Sequence, residues 1–129
     1  QTQWVLRSAR ADFLVYSGED KLTVPLVLLG AAGVISVVAN VVPRLFSEMT
    51  HAALEGNLSK ARELAHLLLP ISEGLFWETS PAPAKACMRM LGLMPSDELR
   101  LPLVPVKPAT REKLRQVLSD LGLNPSAGT

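Results

Sequence analysis

Few residues in this sequence could do chemistry, and their types limit which reactions need weighing. A lysine forms an imine with a carbonyl substrate when it projects from a strand into a desolvated centre. Lys21, Lys60, Lys85, Lys107 and Lys113 all fall in stretches that read as helix or loop, so none is placed for that role. Cys87 lies among Ala86, Met88 and Met90, a core composition with no neighbouring base to activate a thiol. As the only cysteine it excludes an internal disulfide and a thiolate zinc cage. His51 and His66 fall on successive helices without a third ligand at metal spacing, so they read as structural and no metal site is expected. Glu73 and Glu78 flank Leu75, Phe76 and Trp77; a carboxylate against aromatic rings can have a raised pKa and act as an acid, although helix capping or pairing with a lysine is the commoner role. Gly30 and Gly33 precede an apolar run instead of following a strand, which is the reverse of a dinucleotide-binding loop. Ser17-Gly18-Glu19-Asp20 is different: this polar loop directly follows a short apolar strand, the position where parallel α/β proteins bind ligands.

The element that must position this loop is the stretch Gly30 to Asn40, GAAGVISVVAN. Two glycines followed by an uncharged, β-branched run read as a turn and a fully buried parallel strand, although periodicity alone does not separate such a run from a buried helix. A strand of that kind needs parallel neighbours, and upstream the chain offers one, Phe13 to Ser17. Two strands cannot cover each other, so the chain reads as part of a larger α/β protein. That it begins with Gln1 and not Met agrees with a missing upstream part.

Gln1 to Ala11 has the pattern of an amphipathic helix, with Trp4, Val5 and Ala9 on one face and Arg7 and Arg10 outward. Thr23 can cap the next helix, in whose first turn Pro25 is tolerated. Phe13 to Asn40 then forms one βαβ unit. Pro43 opens a helix with Leu45, Met49 and Ala52 or Ala53 on its inner face, ending at Gly56. Asn57 caps a long helix to about Phe76, with Ala61, Leu64, Ala65, Leu68 and Ile71 at helical spacing and Pro70 predicting a kink or break. A break at Trp77 to Lys85 precedes a helix from Ala84 to Leu91, closed by Gly92. The proline-rich stretch Leu99 to Pro108 must be extended, with its leucines and valines tucked inward. Leu114, Val117, Leu118 and Leu121 mark a last helix before Gly122. The expected organisation is therefore 1–56 as a βαβα part, which the resemblance described below makes the last βα units of a TIM barrel, 57–123 as a helical domain, and 124–129 as a flexible tail.

A net charge of +1 from 13 basic and 12 acidic residues, mixed along the chain, leaves no footprint for nucleic acid. The charge-free stretch Leu22 to Pro43 is long enough to span a bilayer, but Pro25, Gly30, Gly33, Ser36 and Asn40 divide it into helix, turn and strand. No membrane span and no signal peptide are expected.

Five spaced segments carry a resemblance: SGED at Ser17 to Asp20, GVISVVANVVP at Gly33 to Pro43, ARELAHLLLP at Ala61 to Pro70, FWETSPAPAK at Phe76 to Lys85, and LRLPLVP at Leu99 to Pro105. In this order they resemble the C-terminal part of the dihydrodipicolinate synthase (4-hydroxy-tetrahydrodipicolinate synthase) family, within the pyruvate-dependent aldolase superfamily. The resemblance implies an α/β fold: the C-terminal portion of a (β/α)8 TIM barrel followed by a helical domain, with Phe13 to Tyr16 as the seventh strand and Val34 to Ala39 as the eighth. It implies a lyase of lysine and diaminopimelate biosynthesis, a cytoplasmic homo-oligomer without a cofactor, which condenses pyruvate with aspartate semialdehyde. The reaction runs through a lysine Schiff base, with a tyrosine relaying protons. Neither that lysine nor that tyrosine has a counterpart here, so the chain contributes no catalytic residue. Two substrate-binding positions carry over: Ile35, whose backbone lies against bound pyruvate, and Gly18, which lines the same pocket. Val38 stands where many relatives have Thr, and Thr79-Ser80-Pro81-Ala82-Pro83 replaces the more usual Pro-Asn-Pro-Ile-Pro. The rival readings are a truncated, non-catalytic relative acting as an interaction module, another pyruvate aldolase of the superfamily, and a membrane-anchored helical protein.

Overall fold

The computed structural model describes residues 1–125; of the expected flexible tail, 126–129 lie outside the described residues. By its internal contacts the chain divides into two compact units, Gln1–Leu69 and a second from Pro70 onward. The sequence reading set its boundary earlier, at Gly56.

The first unit contains α1 (Thr2–Ser8), β1 (Tyr16–Ser17), α2 (Thr23–Leu28), β2 (Gly33–Val34), α3 (Pro43–Leu54) and the start of α4 (Leu58–Gly74), with short 3-10 turns at Asp20–Leu22 and Val38–Asn40. β1 and β2 form a parallel two-stranded sheet in the register Tyr16 to Gly33 and Ser17 to Val34. Gly33 has φ 154°, and a Cβ there would lie 3.5 Å from the Tyr16 ring, so the pairing favours glycine.

Both strands are shorter than the sequence suggests. Of Phe13 to Ser17, only Tyr16 and Ser17 join the ladder, and Phe13 and Leu14 are exposed. The run Val34 to Ala39 is not a buried strand: beyond Val34 the chain leaves the sheet, Ile35 is 73% exposed, and Val38–Asn40 is a 3-10 turn. The reason lies in where the backbone N–H groups find acceptors. Ile35 donates to the Ser17 carbonyl at 2.8 Å, and Val37 and Val38 donate to the Asp20 carboxylate at 3.1 and 3.2 Å. Ala39 donates to the Ser36 hydroxyl at 2.9 Å. These side-chain acceptors offer the β-branched run an alternative to ladder bonds.

The helices follow the sequence more closely. Pro25 lies in the first turn of α2 and Pro43 opens α3. Thr23 is within α2 instead of capping it, and its buried hydroxyl donates to the Asp20 carbonyl at 2.8 Å. Val27, Ala52, Ala53 and Ala61 form a core cluster with Val24 packed against it, small residues that let the backbones of α2, α3 and α4 approach closely. Asn57 caps α4, its side-chain oxygen accepting from Lys60 N at 3.2 Å. Instead of breaking, α4 continues through Pro70 to Gly74. Helix α1 buries none of its residues, and Trp4 is 66% exposed, so its expected inner face has no cover among the described residues.

The second unit contains the end of α4, then α5 (Ala82–Met90) and α6 (Pro108–Asp120). Leu75, Cys87, Met90, Leu114 and Leu118 are fully buried, and Ala82, Ala86 and Val106 cluster with Leu99 against them. In the extended segment only Val106 is buried; Leu101 and Val104 face outward, against the expectation that the segment's apolar side chains all turn in. Three polar contacts fasten this segment: Arg111 to Asp97, Lys85 Nζ to the Glu98 carbonyl, and Lys107 N to Glu78 Oε1 at 3.0 Å.

Two predictions follow from this packing. Partial burial raises the Asp97 carboxyl pKa, but the hydrogen bond and charge of Arg111 outweigh it and hold the group below its ordinary value. A depressed folded-state pKa contributes stability at pH above the unfolded value of about 3.9 and loses it as pH falls through the folded value. Arg111→Met is therefore expected to cost about 1 kcal/mol near neutral pH and to flatten the decline of stability below about pH 4, read from urea unfolding midpoints across that range. The Cys87 thiol is pushed up to about 12 by burial, against a smaller lowering by Arg111. It should resist iodoacetamide in the folded chain at about pH 8 and alkylate fully once the chain is denatured, a difference that intact mass reads directly.

Candidate functional site

The polar loop and the turn after β2 meet at the carboxyl ends of the two parallel strands, because the register sets Ser17 beside Val34. The next residues, Gly18 and Ile35, are thereby brought to the same end of the sheet. Ile35 N donates to the Ser17 carbonyl at 2.8 Å, which leaves the Ile35 carbonyl as its backbone group able to face a ligand. Gly18 has no positive φ, and a Cβ at this position would meet nothing within 4 Å. Neither backbone conformation nor packing among the described residues calls for glycine there.

The loop is held from inside. The buried Ser17 hydroxyl donates to the Glu19 carbonyl at 2.9 Å and accepts from Glu19 N at 3.1 Å, closing a tight turn around Gly18. Asp20 is buried, and one carboxylate oxygen, Oδ2, accepts both the Val37 and Val38 N–H groups. Its other oxygen, Oδ1, and Glu19 Oε1 are buried without a hydrogen-bond partner among the described residues. The sequence placed Asp20 in the loop but gave no sign of its reach across 17 residues to the second loop. Such a contact has no periodicity, and only pairing of the strands creates it.

The other candidates lie elsewhere. Lys21 is in the first 3-10 turn, Lys60 on α4, Lys85 on α5, Lys107 before α6 and Lys113 on α6, so none projects from a strand. His51 Nδ1 bonds the Ser47 carbonyl oxygen at 2.9 Å, a contact within α3. Cys87 is a core residue of the second unit. Glu78 takes the commoner of its two expected roles: its pKa is lowered, not raised, through a hydrogen bond from Thr110 and the backbone N–H and charge of Lys107. It serves as an acceptor at the N-terminus of α6, where a carboxylate is favoured, and is not a proton donor held in an apolar pocket. Among the described residues no group of His, Cys, Asp and Glu is arranged to hold a metal ion, and no helix is long and apolar enough to cross a membrane.

Comparison with known proteins gives a consistent set of relatives. Residues 1–121 match the Dihydrodipicolinate synthetase family. The chain is 50% identical over 112 residues to the 4-hydroxy-tetrahydrodipicolinate synthase of Syntrophobacter fumaroxidans, covering 87% of this chain and 38% of that protein. It is 49% identical over 113 residues to the enzyme of the same name from Methanocaldococcus jannaschii, covering 88% and 39%. The crystal structure of dihydrodipicolinate synthase from Aquifex aeolicus superimposes with a TM-score of 0.92 at 42% identity, over 97% of this chain and 42% of that one. That from Thermotoga maritima gives 0.88 at 42% identity, over 95% and 43%. The chain thus spans about two fifths of the length of the relatives it matches. With a match running from the first residue through α6 and with the parallel strands and helices superimposing throughout, the chain belongs to the dihydrodipicolinate synthetase family.

Proposed function

We infer that this chain is the C-terminal segment of a pyruvate-dependent lyase, supplying the last two strands of a (β/α)8 barrel, one wall of its substrate pocket, and the helical domain that follows. The observation that carries the reading is the meeting of Gly18 and Ile35 at the carboxyl ends of two parallel strands, where barrel enzymes bind substrate. Pyruvate is the first substrate and aspartate semialdehyde the second, in the synthesis of lysine and diaminopimelate. The names of the relatives and the TIM-barrel family to which they belong support this choice.

In this reading a lysine supplied by the rest of the barrel attacks the pyruvate keto carbon and expels water to form an imine. Loss of a methyl proton, relayed through a tyrosine also outside this sequence, gives the enamine that attacks the aldehyde. This segment lends the Ile35 backbone edge and the space above Gly18. Alone it is inactive, because none of its lysines projects from a strand. The exposed Phe13, Leu14, Tyr16 and Ile35 are the faces that the preceding strands would cover. The assembled enzyme is a cytoplasmic homo-oligomer.

The test is the intact mass of the polypeptide from its native source after incubation with pyruvate and borohydride, which reduces an imine to a stable amine. A chain much heavier than 13.9 kDa that gains the adduct is the expected result. A chain of 13.9 kDa with no adduct would move the function to a non-catalytic interaction module, and an adduct on the short chain itself would overturn the claim that its lysines are misplaced. Gly18→Ala gives a second expected outcome. Because its methyl group meets open space in this chain, unfolding stability should change by less than about 0.5 kcal/mol. In the whole enzyme, the methyl group intrudes on bound pyruvate and should raise its KM about tenfold, the scale of a modest overpacking penalty.

A further inference from the structure

We propose that Asp20 is the positioning residue of this site, holding Ile35 at its working position by clamping the loop after β2 to the loop after β1. The proposal rests on the reading of Gly18 and Ile35 as pyruvate-binding positions. It goes beyond that reading by naming a residue that has no place in the reaction itself.

Three observations converge on Asp20. Its side chain is almost completely buried, at 4% exposure, an unusual position for a carboxylate unless it is paired or hydrogen-bonded. Among the described residues no basic side chain pairs with it; instead Oδ2 accepts two consecutive backbone N–H groups, Val37 at 3.1 Å and Val38 at 3.2 Å. Its own carbonyl is fixed by the fully buried Thr23 hydroxyl at 2.8 Å, so the clamp is anchored at its base as well as at its tip.

The geometry places Ile35 between two pins. On one side its N–H is tied to Ser17, and two residues further on the chain is tied to Asp20. With both ends held, the peptide between them has little freedom, and its carbonyl is presented in one orientation. Without the carboxylate, Val37 and Val38 would lose charge-assisted acceptors, and only bonds within the turn itself, from Ala39 N to the Ser36 hydroxyl and from Asn40 and Val41 N to the Val37 and Val38 carbonyls, would hold it, with nothing tying it back to the first loop through this carboxylate. Small displacements of a substrate-binding group are costly, which gives a residue that never touches substrate a measurable effect on binding.

The remaining oxygen makes the clamp separable from the negative charge. Asparagine retains one carbonyl oxygen able to accept from both Val37 and Val38, but replaces Oδ1, which has no partner among the described residues, with an amide NH2 group. If the clamp is what matters, Asp20→Asn keeps it and Asp20→Ala abolishes it.

The experiment compares the whole enzyme carrying this segment as wild type, Asp20→Asn, Asp20→Ala and Leu118→Ala. The last removes a fully buried side chain in the second unit and serves as a control for lost stability alone. Asp20→Ala is expected to raise the pyruvate KM about tenfold or more with kcat within about threefold, while Asp20→Asn stays within about threefold in both, and Leu118→Ala keeps its KM despite a lower melting temperature. Hydrogen exchange at the Val37 and Val38 amides should accelerate in Asp20→Ala and not in Asp20→Asn. An active wild type with an unchanged pyruvate KM in Asp20→Ala would overturn the positioning role. So would equal KM increases in Asp20→Ala and Leu118→Ala, or an Asp20→Asn variant as impaired as the alanine. A wild type that traps no pyruvate would overturn the lyase reading, and this inference with it.

Discussion

The site end of the first unit depends on one constraint: a parallel pair of strands as short as Tyr16–Ser17 and Gly33–Val34 leaves most of the nearby backbone without ladder partners. The chain satisfies these groups locally. Ser17 serves Glu19, Ser36 serves Ala39, Asp20 serves Val37 and Val38, and Thr23 serves Asp20 in turn. Side chains thus do for the strand ends what a wider sheet does for strand interiors. The same polar residues lie where two loops converge, so the device that completes the backbone hydrogen bonding also shapes the site.

The helices were legible because each signal is local: Pro25, Pro43, Asn57, Gly92 and Gly122 act within a turn of where they sit. The strands were less legible. The valines and isoleucine of the run 33–42 describe a backbone that tolerates extension, but whether it stays extended depends on acceptors 17 and 18 residues upstream. Pro70 shows a related limit: in sequence it signals a kink or a break without deciding between them, and the helix runs on as the long periodic pattern expects. A proline costs a helix one hydrogen bond and adds a steric clash, yet buried Leu68 and Ile71 on either side hold α4 in place. Of the site, the loop Ser17 to Asp20 was marked by its place after a strand, the pyruvate roles of Gly18 and Ile35 came from family resemblance, and the reach of Asp20 to the second loop became visible once the strands were paired.

The second unit solves a different problem. Its proline-rich segment has few N–H groups with which to bond, and it buries little beyond Val106 and part of Leu99. It is therefore held by charged and polar side chains at intervals: Asp97 on Arg111, the Glu98 carbonyl on Lys85, and Lys107 N on Glu78. Glu78 illustrates how neighbours decide the role of a carboxylate. The aromatic residues beside it in sequence left a raised-pKa acid open beside the commoner role of helix cap, and the donors beside it in space, Thr110 and Lys107, stabilise its charge.

Pro70 has a consequence for the cooperativity of folding. It carries no N–H, so the ladder of α4 lacks the rung that would join position 70 to His66. That missing rung falls at the division between the two compact units. A continuous helix would normally couple the residues along its length into one opening event. At Pro70 that coupling runs through one bond fewer, which weakens the link between the Leu58 to Leu69 and Pro70 to Gly74 parts of α4 without cutting it.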